Sequence, residues 1–101
     1  MKRARFTEHA RSEFLAQIAY YETLQSGLGA RFRAEIESLA ERAASFPQSA
    51  APAAAGTRRR LMQHFPFSLV YTATNYGILI HAIAHNRRFP EYWVGRLADE
   101  G

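Results

Sequence analysis

The sequence predicts an α+β domain in the order β-α-α-β-β-β, a small and mainly antiparallel sheet packed by a helical hairpin. Three observations predict it. Two stretches in the first half repeat apolar residues at helical spacing. From Leu61 to Asn86 there is no Lys, Arg, Asp or Glu, yet Pro66, Asn75 and Gly77 cut that run into short segments. Arg3-Ala4-Arg5-Phe6 alternates charged and apolar residues as a strand with one wet face does.

The first strand runs from Lys2 to Phe6, and Thr7 stands ready as an N-cap. The helix after it carries Ala10, Phe14, Ile18 and Tyr21 on one face, until Gln25-Ser26-Gly27 breaks it. The second helix places Leu28, Phe32, Ile36, Leu39, Ala43 and Phe46 on one face and Arg33, Glu37 and Glu41 on the other. Pro47 stops it. A turn this short makes the helices antiparallel. Residues 47–57 read as an uncharged surface loop.

Three strands follow: Arg58–His64, Phe67–Ala73 after the turn at Pro66, and Ile78–His85 after Thr74-Asn75-Tyr76-Gly77. The last strand is apolar on both faces, with Ile78, Ile80, Ala82 and Ala84 on one and Leu79 and Ile83 on the other. Such a strand is central and covered on both sides. The helical hairpin is one cover. The other must be the C-terminal tail, a partner or a groove. Tyr92 and Trp93 suit packing of that tail on the sheet.

At 101 residues the chain is one domain, 1–101, and 48% hydrophobic against 22% charged residues makes it globular. The absence of cysteine and of a secretory signal points to the cytoplasm, and no run is apolar enough to span a membrane. The net charge of +4 is segregated. Lys2, Arg3 and Arg5 have no acid beside them, and six arginines after residue 57 face three acids. Arg58, Arg59 and Arg60 frame the uncharged stretch on one side and Arg87 and Arg88 on the other. A polyanion or an acidic partner fits that pattern. The plain alternative is a solvated rim whose arginines meet Glu91, Asp99 and Glu100.

The runs RRRLMQHFPFSLVY and ILIHAIAHNRRFPEYW, in this element order, resemble the RelE/ParE superfamily of bacterial type II toxins. The resemblance runs from Lys2 to Leu97. Its most specific part is Ala84 to Trp93, similar to the Ala-His-x-Arg-Arg-x-Pro-x-Tyr-Trp ending of the plasmid-stabilisation, ParE-like branch. It implies a toxin held inactive in a hetero-oligomer with a cognate antitoxin, without cofactor or metal. The ParE-like branch acts on DNA gyrase. The RelE-like branch cleaves mRNA on the ribosome.

For the RelE-like chemistry, His85, Arg88 and Tyr92 are the catalytic candidates, with His64 a second possible base. The RelE-like branch carries an arginine in its third strand where this chain has Ser68. The basic pair of the preceding strand is reduced to Arg59 or Arg60, with Leu61 and Gln63 beside them. For target or antitoxin binding the candidates are Arg58, Arg59, Arg60, Arg87, Arg88, Tyr92 and Trp93. His81 and His85, four apart on a regular strand, share a face but stand too far apart for one ion, and no carboxylate or cysteine joins them. No Gly-rich phosphate loop and no Ser-His-Asp order is present. The ParE-like reading is preferred. The ribosome-dependent endoribonuclease is its first rival, and a non-catalytic module that binds nucleic acid through its basic rim is the second.

Overall fold

The computed structural model describes residues 2–88 and 91–97. Strand β1 (Arg3–Phe6) leads into helix α1 (Glu8–Leu24) and helix α2 (Leu28–Ser45). Four strands follow: β2 (Ala51–Pro52), β3 (Arg58–Leu61), β4 (Phe67–Thr74) and β5 (Gly77–His85). The sheet order is β1-β5-β4-β3-β2, with β1 parallel to β5 and the other pairs antiparallel. The expected element order therefore holds, with one addition. The 47–57 segment is not only a loop, because Ala51 and Pro52 pair with Arg59 and Arg58 as a fifth, edge strand. The strand beginning at Arg58 ends at Leu61 rather than His64. The Glu35 carboxylate takes the amides of Gln63 and His64 and draws the chain out of the ladder.

Thr7 caps α1 as its sequence position implies, its hydroxyl accepting the Ala10 N–H at 3.1 Å. The cap of α2 comes from outside that helix. Glu22, on α1, accepts the Gly27 and Gly29 N–H groups at 2.8 and 3.0 Å. A carboxylate there also faces the positive end of the helix dipole. Gly29 is obligatory at this turn, since a Cβ would lie 2.5 Å from the Ile18 carbonyl oxygen.

The hairpin covers one sheet face with Phe14, Phe32 and Ile36, against Leu69, Tyr71, Ile78 and Ile80. Aromatic rings run through this core: Phe6 on Phe14 at 5.2 Å, Tyr21 on Phe32 at 5.3 Å and Phe32 on Phe67 at 5.5 Å. Phe46, expected in the core, is 66% exposed. It is the first residue to leave helical geometry, at φ −133°, so the helical period no longer aims it, and Ala40 and Ala44 pack instead.

Strand β5 departs from simple alternation. Its register with β4 jumps from Val70↔Ala82 to Tyr71↔Ile80, leaving His81 as an extra residue. This bulge turns the second half of the strand over. Ile78, Ile80 and Ile83 face the helices, whereas Ala82 and Ala84 face the other side. A regular strand would have put Ile78 and Ile80 on one face with Ala82 and Ala84. His81 and His85 are thereby also separated. His81 bonds Thr72 on the far face at 2.9 Å, and His85 stands edge-on to Phe67 on the helix face at 5.0 Å. The far face is covered by the C-terminal tail, whose buried Trp93 packs with Val70, Ala82 and Ala84.

Candidate functional site

Strand β1 flanks only the first half of β5. It ends at Phe6 opposite Ile80, and the Thr7 N–H closes the pairing on the Ile80 carbonyl at 3.0 Å. From His81 onward β5 has no strand on that side among the described residues, and side chains fill the gap. Arg96 donates to the His81 carbonyl at 3.1 Å, and Glu13 accepts the Ile83 N–H at 3.0 Å. An unfilled edge would leave backbone groups without partners.

Glu13 is the centre of this region. Besides Ile83 it accepts the Tyr92 hydroxyl at 2.7 Å and both terminal nitrogens of Arg96, Nη1 at 3.1 Å and Nη2 at 2.9 Å. The Arg88 guanidinium is 3.8 Å from the same carboxylate and lies over the Tyr92 ring, its Cζ 3.8 Å from the centroid. Arg96 approaches that ring at 5.0 Å. Tyr92 is thus held between two cations and a carboxylate. Burial, then the bond to Glu13 and its charge, push the Tyr92 phenol far above the ordinary tyrosine range, against the opposing pull of Arg96 and Arg88. Its proton stays on oxygen at neutral pH.

Neither Glu13 nor Arg96 stood out in the sequence as a site residue. The available signal was that Glu13 is the one charged residue between Arg11 and Glu22, on the flank of the apolar stripe. Arg96 gave none.

The arginine triplet does not form one rim. Arg58 and Arg60 oppose Tyr71 and Leu69 and so emerge on the helix side. There Arg58 bonds the Ala50 and Gln48 carbonyls at 2.7 and 3.2 Å and the Gln48 side chain at 2.6 Å, while Arg60 bonds the Ser49 hydroxyl. Both pin the 47–50 segment. Arg59 opposes Val70 and lies on the tail side, where it donates to Asn86 Oδ1 at 3.1 Å. Ser68, fully buried, donates to the same oxygen at 2.5 Å. Asn86 therefore joins Arg59, β4 and the turn after β5, a role its motif position did not suggest.

His85 and Arg88 stand between two small clefts. One opens toward Gln17, Tyr20 and Tyr21, the other toward Arg59, Asn86 and Trp93. His85 Nδ1 accepts the Arg87 N–H at 3.0 Å, so a neutral ring carries its proton on Nε2. Arg87 and Arg88 are exposed. Phe89, Pro90, Asp99 and Glu100 lie outside the described residues. His64 is remote from this end, paired with Glu35 at 3.0 Å. The site thus brings together Arg59, His85, Arg87 and Arg88 around the end of β5. It holds Tyr92 and Trp93 just behind them, and it leaves Arg58, Arg60 and His64 elsewhere. Its exposed Arg87 and Arg88 suit an anion. Among the described residues, no three His, Cys, Asp or Glu side chains gather as a metal site requires.

A solved structure of the chromosomal ParDE TA (toxin–antitoxin) system from P. aeruginosa contains a chain with the same architecture. The match has a TM-score of 0.61 over 84% of this chain and 96% of that one, at 19% identity. The fold is RelE/ParE-like. No protein-family model and no curated protein matches the sequence. In this chain the basic turn after β5 lies beside the tail that Glu13 anchors from α1. No helix among the described residues is long and apolar enough to cross a membrane.

Proposed function

We propose that this chain is the toxin of a type II toxin–antitoxin module, of the ParE-like branch, growth-inhibiting by acting on DNA gyrase and neutralised by a cognate antitoxin. The observation that carries the toxin reading is the fold likeness to a chain of the ParDE system over 84% of this chain and 96% of that one. The basic turn at Arg87 and Arg88, with Arg59 beside it, is the surface for the target. The antitoxin supplies acidic groups.

The choice of branch rests on Ser68. It occupies the position where RelE-like nucleases carry a strand arginine, it is 0% exposed, and its hydroxyl is spent on Asn86. Metal-free RNA cleavage depends on placed positive charge, and losing one such cation costs on the order of a hundredfold or more in rate. Tyr92, its hydroxyl bound to Glu13 and its ionisation suppressed, is poorly suited to act as base.

Induced alone in a bacterium, the protein is expected to arrest growth, and co-expression with an antitoxin encoded beside it to restore growth. The purified protein is expected to inhibit gyrase supercoiling or trap cleaved DNA, with graded loss in Arg88→Ala. Normal growth at verified soluble expression would refute the toxin reading. The ribosome-dependent mRNA interferase is kept as a second reading because His85 and Arg88 share one cleft wall. Codon-positioned mRNA cuts that vanish with His85→Ala would replace the gyrase assignment with it.

A further inference from the structure

The two edges of the sheet are built differently. The edge at β2 is two residues long and contains Pro52, the usual way of making an edge unreceptive. The edge at β1 has neither device. Arg3 donates to the Tyr76 carbonyl at 2.7 Å and Thr7 to Ile80 at 3.0 Å, so the backbone groups of residues 3, 5 and 7 turn inward to β5. Backbone groups alternate along a strand, so the N–H and C=O of Ala4 and Phe6 turn outward, where the sheet has no further strand among the described residues.

The side chains around that edge have a consistent character. Lys2, Arg3 and Arg5 are exposed, with no acid on the strand. Arg5 lies on the tail side, over the Tyr76 ring at 5.5 Å. Ala4 and Phe6 turn to the helices, Phe6 stacking on Phe14. Beside Phe6 a hollow is lined by Phe14 and the 45% exposed Leu15, with Arg11, Arg33 and Glu37 around it. A second copy of the chain would bring Lys2, Arg3 and Arg5 against their own kind. An acidic strand meets complementary charge instead.

We infer that β1 is a docking edge for an extended acidic segment of a partner protein. The segment adds a sixth strand through the Ala4 and Phe6 backbone, sets its carboxylates on Arg3 and Arg5, and seats one apolar side chain in the hollow at Leu15. Naming that partner as the antitoxin rests on the toxin reading above; the surface itself does not. It lies at the opposite edge of the sheet from Arg58 to Arg60.

The test uses the full chain and two fluorescein-labelled, end-capped decapeptides, one alternating Glu with Val or Leu and one with Lys in place of Glu. Anisotropy should show the acidic peptide binding at least tenfold more tightly, with hydrogen exchange slowed at Ala4 and Phe6. Ala4→Pro removes an outward N–H without touching the β1–β5 ladder, and should weaken binding about tenfold or more. Should that variant misfold, Arg3→Glu with Arg5→Glu must reverse the peptide preference. Failure of the acidic peptide to bind, protection at other amides with Ala4 and Phe6 unchanged, or a self-dimer through β1 on sedimentation would each overturn the proposal. None of these readouts involves toxicity, so a non-toxic protein that still binds at β1 would refute the function and spare the surface.

Discussion

The two faces of the sheet are held by different physics. The helix face is a broad apolar core, with Phe32, Ile36, Leu69, Tyr71, Ile78 and Ile80 all fully buried. The tail face has a small apolar cluster of Trp93 on Val70, Ala82 and Ala84, and it is fastened by one carboxylate, Glu13, which reaches from the helix side. Apolar burial is non-directional and scales with area. The Glu13 arrangement is directional and depends on each partner being present. The helix face therefore sets whether the domain folds. The tail face sets how the basic turn beside it is held.

The largest effect should come from cutting into the broad core. Phe32→Ala is expected to cost about 3–5 kcal/mol and to lower the global unfolding transition by every probe. Trp93→Ala removes a larger ring, but at the tail. Its loss should appear first as rapid hydrogen exchange at Val94, Arg96 and Leu97, whose amides bond only within the tail turns, while helix amides stay protected. Equal loss of protection in helices and tail would erase the distinction between the faces.

Glu13→Ala sharpens it further. The change leaves the Arg96 guanidinium, 17% exposed, with the His81 carbonyl but no carboxylate, and takes the acceptor from the Ile83 N–H. A cost of about 2–3 kcal/mol is expected, with the tail loosened as in Trp93→Ala. Denaturant unfolding measures it, and a change below about 0.5 kcal/mol would mean that water replaces the carboxylate without loss.

The smallest effect belongs to the Tyr92 hydroxyl. Tyr92→Phe keeps the ring under Arg88 and loses one hydrogen bond to a charged acceptor, worth about 1.5 kcal/mol. The pH dependence has a definite sign. The folded-state pKa is raised, so the folded protein keeps a proton that the unfolded chain releases near pH 10. The contribution is complete below about pH 10 and is lost as pH rises toward the folded value. Tyr21 and Tyr71 shift in the same direction, mainly through burial, so the wild type weakens in alkali for several reasons. Tyr92→Phe should flatten that decline, and its deficit relative to wild type should shrink above about pH 10. A parallel decline in both proteins would show that the hydroxyl is wet.

Much of this architecture is legible in the chain alone because it depends on local pattern. The spacing of Phe14, Phe32 and Ile36 at helical period, the Thr7 cap, the turns at Pro66 and Asn75-Tyr76-Gly77, and the antiparallel run of β3, β4 and β5 all follow from neighbours in sequence. The clustering of arginines at strand ends is equally visible. Which of them share a surface is not. The side of the sheet on which a strand residue emerges depends on register, and one extra residue reverses it. The bulge at His81 is such a residue: it parts His81 from His85 and turns Ala82 and Ala84 toward Trp93. Likewise Arg58 and Arg60 part from Arg59 because β3 alternates against β4. Glu13 lies 79 residues from Tyr92 and 83 from Arg96 along the chain, and no local pattern links a helical carboxylate to a C-terminal turn. Sequence determined both helices, the strands β1, β4 and β5, their order and the stock of cations, but not the edge strand β2 or the early end of β3. Only the tertiary structure decided which cations meet, because that depends on strand register and on contacts between distant residues.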